Sequence, residues 1–255
     1  MINCNSDEIQ SILHQGESYL TTSRQELAAA NKKGSQEAAK AAERCFTEVI
    51  DGKNRPSCWA YAHRGEALRF QGRYDDAVKD FQAAVDQADG TGKNYAWAYA
   101  HWGETLRDKQ KAENVHNSPE AREKFSEAIS QEPNYAWAYG HRGATYHISP
   151  SSPDSDLDAA LGDFSKAIEL YNKYLDQPGY CTGNGYAWAR AWRSVVHFMK
   201  LLKNCGLTLD DEKCHEGIRA YYDLLVAIRV DQNIIALEWR CEMENIMAKH
   251  NVVVE

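Results

Sequence analysis

Proline is scarce in this sequence, at 6 of 255 residues, and no stretch alternates apolar and polar residues as a strand would. Helix is left as the reading for the whole chain. Long apolar runs are missing too, and the mean hydropathy of −0.64 argues against a membrane span. The opening residues Met1-Ile2-Asn3-Cys4-Asn5-Ser6-Asp7 lack a basic stretch leading into an apolar one, so no secretion signal is expected. Basic residues are outnumbered by acidic ones, 29 to 37, for a net charge of −8. Nucleic acid is therefore disfavoured as the main partner, because phosphate binding needs a cationic footprint. The seven cysteines (Cys4, Cys45, Cys58, Cys181, Cys205, Cys214, Cys241) are odd in number and scattered. They do not resemble a disulfide framework, and a reducing, cytoplasmic setting is expected. Cys205, Cys214 and His215 match no common zinc spacing, so neither a metal nor a cofactor is expected. There is also no phosphate-cradling glycine loop, no nucleophile elbow and no dense histidine–carboxylate cluster. His147 and His197, read onto first helices, have no evident acid or nucleophile beside them, and catalysis is not expected.

What the chain does contain is repetition. Tyr-Ala-Trp-Ala starts at Tyr95, Tyr135 and Tyr186, and a weaker copy reads Cys58-Trp59-Ala60-Tyr61. Internal repeats decide a fold before local propensity is consulted. The glycines Gly65, Gly103 and Gly143 each lie four residues after a tyrosine: Tyr61, Tyr99 and Tyr139. Farther along come Ala77-Phe81-Ala84, Ala121-Phe125-Ala128 and Ala160-Phe164-Ala167, always at offsets of four and three. Two helices per unit follow. The first carries a glycine where its neighbour crosses closely, and the second offers small, large and small residues along one stripe.

These residues resemble the tetratricopeptide-repeat family, whose unit of about 34 residues is a helix-turn-helix. Residues 58–89 match without a gap, with Tyr61, Gly65, Leu68, Gly72, Tyr74, Ala77, Phe81 and Ala84 on signature places. The pairs Arg64-Gly65, Asp80-Phe81, Arg142-Gly143 and Asp163-Phe164 look like a common bacterial form of the repeat. The resemblance implies an all-α, right-handed α–α superhelix in a single domain over 1–255. About five units are expected, at 7–54, 57–89, 95–133, 135–177 and 186–232, with a capping helix over 233–250. The outer units depart from the pattern. The first has a lengthened opening helix, through about Ala30, and the fifth has Ser194 where the others have glycine. Gly103 to Ala121 and Gly143 to Ala160 are six and five residues longer than Gly65 to Ala77. The added loops, near Ser118-Pro119 and Ser149 to Asp154, are either tolerated insertions or a rim that touches a partner.

In such a superhelix the first helix of each unit lines the concave wall. At 100° per residue its second, fifth, ninth and twelfth places share a face. The second place is Trp59, Trp97, Trp137 and Trp188, and the fifth is Ala62, Ala100, Gly140 and Ala191, small enough to leave a channel. The ninth and twelfth carry Glu66 with Arg69 and Glu104 with Arg107, and the bordering sixth carries His63, His101 and His141. Tryptophan is enriched at binding hot spots because it offers large contact area at low rotamer cost. The indoles either contact a partner in the groove or pack on the preceding unit. The Glu–Arg pairs either select a partner's polarity or support their own helices. The histidines, about a helix diameter (~10 Å) apart, are too far from one another to share a metal. The lysine, asparagine and arginine with which the family's chaperone-binding branch clamps a terminal carboxylate are absent, since Ala62, Glu66, Ala100, His101 and Glu104 stand there.

The reading that follows is a non-catalytic module binding a protein or peptide segment in its groove. A sensor of a small ligand or signalling peptide is the alternative, and RNA binding is a weaker one.

Overall fold

The computed structural model describes residues 6–52, 57–88, 95–115, 117–174 and 183–204, together with Leu224, Leu225, Arg240 and Glu244. Apart from those four residues, the second helix expected for the fifth unit and the closing helix expected over 233–250 lie outside the described residues. Among the described residues there are only helices and turns. The helices are α1 (Ser6–Ala28), α2 (Lys32–Asp51), α3 (Cys58–Phe70), α4 (Tyr74–Ala88), α5 (Ala96–Ala112), α6 (Pro119–Gln131), α7 (Ala136–Gly143), α8 (Asp154–Tyr174) and α9 (Gly183–Asn204). The chain divides into two compact units, the first ending at Glu132 and the second beginning at Pro133. The first holds the pairs α1/α2, α3/α4 and α5/α6, and the second holds α7/α8 followed by α9.

Each pair closes on one phenylalanine. Phe46, Phe81, Phe125 and Phe164 are fully buried, and each ring lies against the glycine of its pair's first helix. A Cβ on Gly65 would sit 3.0 Å from Phe81, and one on Gly103 would sit 3.0 Å from Phe125. For Gly16 against Phe46 the gap would be 2.6 Å. Glycine is required there by close approach of two helices. The flanking Ala77, Ala84, Ala121, Ala128, Ala160 and Ala167 are all fully buried, so the small-large-small stripe is the core of each pair.

A second repeated device ties the pairs. Arg64 on α3 donates through Nε and Nη2 to Asp80 on α4, at 2.7 and 2.8 Å. Arg142 on α7 does the same to Asp163 on α8, at 2.9 and 2.7 Å. The Arg-Gly and Asp-Phe dipeptides of the sequence are therefore two halves of one fork. In the α5/α6 pair the corresponding residues are Trp102 and Lys124, and the ammonium stands 4.3 Å from the indole centroid. A cation–π contact replaces the ion pair.

The first helices of the first unit end alike. Ala30, Gly72 and Asn114 have positive φ (59°, 78° and 59°). The next residue's N–H returns to a carbonyl five residues back: Asn31 to Glu26, Arg73 to Leu68 and Val115 to Gln110. This left-handed stop satisfies carbonyls that the helix end would orphan. Helix α7 stops differently. It covers 8 residues against 17 for α5. The extra length of the third pair thus extends α5, whereas that of the fourth becomes a turn tied by serines. There Ser152 Oγ donates to the His147 carbonyl at 2.6 Å, and the Ser149 N–H donates to Ser152 Oγ at 3.1 Å. His147, expected on a first helix, lies beyond the end of α7. Proline does occupy the first helical place of α6, although the Ser118 hydroxyl makes no cap bond.

Candidate functional site

The predicted partner-binding residues are brought together as two interleaved ladders, one in each compact unit. In the first unit, Trp59 and His63 on α3 are one helical turn apart, with ring centroids 4.0 Å from each other. His63 lies 4.5 Å from Trp97 on α5, and Trp97 lies 4.5 Å from His101. The ladder starts on α2, where Phe46 meets the edge of Trp59 at 5.8 Å and stacks on His63 at 5.6 Å. In the second unit, Trp137 and His141 on α7 are 3.9 Å apart, and His141 stacks on Trp188 of α9 at 4.7 Å. Trp188 then meets Phe164 edge-on at 6.0 Å, and Trp192 takes the place that histidine holds in the other repeats.

All four indoles are half-buried. Trp59, Trp97 and Trp188 each touch a ring of the preceding helices and still reach solvent, so the two roles foreseen for the tryptophans are geometrically compatible. The expected channel along the fifth places is not open. Ala62, Ala100 and Ala191 are buried, and a Cβ on Gly140 would lie 3.2 Å from Trp188. At Gly140 the missing side chain makes room for the next indole.

The charged row lies beside the first ladder and runs between helices. Arg24 on α1 donates through Nε and Nη2 to Glu66, at 3.0 and 2.8 Å. Arg69 on α3 reaches Asp108 at 2.8 Å and Glu104 at 3.2 Å, both on α5. Arg107 stands 3.8 Å from Glu104 on its own helix. Glu66 is fully buried, and the Arg69 side chain is 10% exposed. Burial works against the Arg69 charge, but Glu104, Asp108 and Glu66 outweigh it and hold its pKa above the usual arginine value. Arg24 and Asp108 were missed in the sequence. They lie outside the repeat's shared places, 42 and 39 residues from their partners, where no periodicity points to them.

The two imidazoles of the first ladder are held neutral. Burial pushes the His63 pKa down to about 4, although Glu66, with Oε2 3.9 Å from His63 Nδ1, pulls the other way. Burial likewise takes His101 down to about 3, opposed by Glu104 at 3.8 Å and reinforced by Arg69 and Arg24. A neutral ring can sit between indoles without the desolvation cost of a cation. In the second unit the ninth places hold Ala144 and Val195, and the twelfth places hold His147 and Phe198, so no carboxylate stands at either place.

Among the described residues, no group of three or more histidine, cysteine, aspartate or glutamate side chains is placed to hold a metal ion. No described helix is long and apolar enough to cross a membrane.

No family model matches this sequence. No curated protein matches it either. Solved structures do. A tetratricopeptide repeat protein from Parabacteroides merdae ATCC 43184 superposes with a TM-score of 0.50 at 16% identity, over 92% of this chain and 75% of that one. A thermophilic TPR protein from Thermus thermophilus gives a TM-score of 0.55 at 13% identity, over 91% of this chain and 99% of that one. At such identities the likeness speaks for backbone architecture. With the glycine–phenylalanine pairs and the repeated first-helix signature, it gives this chain the helical-repeat fold of the tetratricopeptide-repeat proteins.

Proposed function

We propose that this protein is a non-catalytic interaction module that receives a segment of a protein partner against the face of its first helices. The observation that carries the reading is the pair of tryptophan–histidine ladders, with Trp59, Trp97, Trp137 and Trp188 half-buried at equivalent places. A surface whose rings are already held by neighbouring rings loses little side-chain entropy when a partner lands on it. Indoles are also the side chains that most often dominate such contacts. In this reading the indoles touch the partner, and His63, His101 and His141 space them. Glu66 ties α3 to Arg24 of α1, Arg69 ties α3 to Glu104 of α5, and Arg107 supports Glu104 on its own helix.

The carboxylates at the ninth places also argue against recognition of a partner's terminal carboxylate. Glu66 and Glu104 already hold Arg24 and Arg69, and no lysine stands among the ladder residues to bind it.

The test begins with capture of partners on the full chain and identification of the bound segment. Its affinity for the wild type is then compared with that for Trp59→Phe and Trp137→Phe by calorimetry, beside thermal melts. Loss of affinity of tenfold or more with an unshifted melt supports the proposal. Unchanged affinity with a lowered melt assigns the indoles to packing alone and ends it.

A further inference from the structure

We propose that the outer face of α2 is a self-association surface, on which a second copy of this chain lays its own α2 antiparallel. The ladders belong to first helices and α2 is a second helix, so this surface is separate from the interaction face above. A groove of about 640 Å³ runs along α2, with Gln71, the residue that ends α3, also lining it. Lys40, Arg44, Thr47, Glu48 and Asp51 line its α2 side and fall within about 100° of one another around the helix. The buried face of α2, with Ala39, Ala42, Phe46 and Val49, is on the opposite side.

The charges in and around the groove divide into paired and unpaired. Glu43 accepts from Arg73 at 2.7 Å and from Gln71 at 2.8 Å, and Arg73 also holds Asp76. Arg64 is forked onto Asp80 and donates to the Thr47 hydroxyl as well. Lys33 stands 4.0 Å from Glu37 on its own helix. Lys40, Arg44, Glu48 and Asp51 are exposed, and none of them makes an ion pair with a described residue.

Their order opposes the helix that carries them. A macrodipole favours carboxylates at a helix start and cations at its end. Helix α2 has no acidic residue in its first turn and no basic one in its last. The second helices of the other pairs, α4, α6 and α8, all carry acid in the first turn. A basic residue four places before an acidic one is also the weaker orientation within a helix, as for Arg44 and Glu48. This order costs the single chain stability, and an antiparallel copy offsets the cost by bringing cations to the acidic end.

The pattern is its own complement. A two-fold axis beside Thr47 sets Lys40 against Asp51 of the other copy and Arg44 against its Glu48, each contact being made twice. That register also brings Glu43 near the other copy's Glu48, and the Glu43 charge is already met by Arg73. Any other occupant must present carboxylates and cations in the same reversed order, which a second copy does by identity. Exposed ion pairs are individually weak, so the dimer is weak, reversible and sensitive to salt.

The test is analytical ultracentrifugation of the full chain from about 5 to about 500 μM, in low salt and in about 0.5 M salt. A dimer that grows with concentration in low salt, and binds at least tenfold more weakly in high salt, is expected. A wild type that stays monomeric throughout overturns the proposal, whatever else it captures. Two charge-reversed variants follow, one with Lys40→Glu and Arg44→Glu, the other with Glu48→Lys and Asp51→Lys. Each alone should self-associate at least tenfold more weakly, because like charges then face each other. An equimolar mixture should regain the wild-type affinity or exceed it, since opposite charges meet again. Variants that self-associate as the wild type does, or that stay apart when mixed, overturn the proposal. A carbodiimide, which joins amine to carboxylate without a spacer, supplies a check that needs no variant. In a mixture of isotope-labelled and unlabelled wild type, Lys40–Asp51 links should join labelled to unlabelled chains. Mixed links found only at other residues, or none at all, overturn it.

Discussion

The ladder between α3 and α5 and the ladder between α7 and α9 share their rungs and differ in everything beside them. In the first unit the rungs are flanked by forks of opposite charge, Arg24 with Glu66 and Arg69 with Glu104 and Asp108. In the second unit the ninth places hold Ala144 and Val195 and the twelfth hold His147 and Phe198, and the last histidine gives way to Trp192. The helix ends differ as well: left-handed stops close α1, α3 and α5, while a serine-tied turn follows α7. The spacing of the rings is therefore not imposed by one kind of neighbour. Ion pairs and apolar packing both support it, which points to ring stacking itself as the common constraint.

Acid should separate the two supports most strongly. His63 and His101 have folded pKa values pushed below the usual 6.5, to about 4 and about 3. The unfolded chain takes up protons first as pH falls. The stability these rings contribute is whole above pH 6.5 and is lost as pH drops toward their folded values. Between pH 7 and 5 the loss should be on the order of 3 kcal/mol for the two together, at about 1.4 kcal/mol per unit of pKa difference. Urea denaturation at a series of pH values reads this, and His101→Asn should roughly halve the slope. A slope that survives both His63→Asn and His101→Asn would place the acid response elsewhere.

The ionic support itself is probed by Arg69→Met. That variant removes the guanidinium that stands between Glu104, whose side chain is 13% exposed, and Asp108. Removing one partner of a buried pair costs about 3 kcal/mol. The effect should change little with added salt, because screening reaches buried charges weakly. A loss that disappears on raising the salt severalfold would show the pair to be a surface contact.

On the apolar side, Val195→Ala should cost about 2 kcal/mol through lost burial and a small cavity. The cost should be the same at neutral and mildly acidic pH, unlike that of the histidine variants. The smallest expected effect concerns the stops. Ala30 sits at φ 59° where Gly72 occupies the equivalent place in the next pair. Ala30→Gly should gain about 1 kcal/mol by relieving a left-handed alanine. Gly72→Ala should lose a similar amount, although open space surrounds it. A destabilised Ala30→Gly would mean that the added freedom of glycine in the unfolded chain outweighs the relief.

Much of this architecture was legible in the residues alone, wherever a repeat used the same residue for the same job. The tyrosine–glycine spacing and the phenylalanine between alanines each recur because each helix pair faces the same close approach. The aromatic rows were legible for the same reason. Their interleaving was not, since contact between His63 and Trp97 depends on how two helices pack. The direction of the charges was misread at Glu66 and Arg69. They stand at a spacing that suits a pair within one helix, yet each turns to a neighbouring one. Substitution hid another regularity: Trp102 with Lys124 performs the task of Arg64 with Asp80, and no residue identity links the two.

Sequence by itself determined that this chain is a stack of paired helices, because the glycine and phenylalanine of each pair leave one close way to pack. Only the tertiary structure decided where the conspicuous side chains point. Helices in contact share their faces, and the free energy of a buried ring or charge depends on what the adjoining helix places against it. The wedging of Trp97 and Trp188 against the histidines of preceding helices, the neutrality of the imidazoles and the spending of Glu66 on Arg24 all belong to that second level.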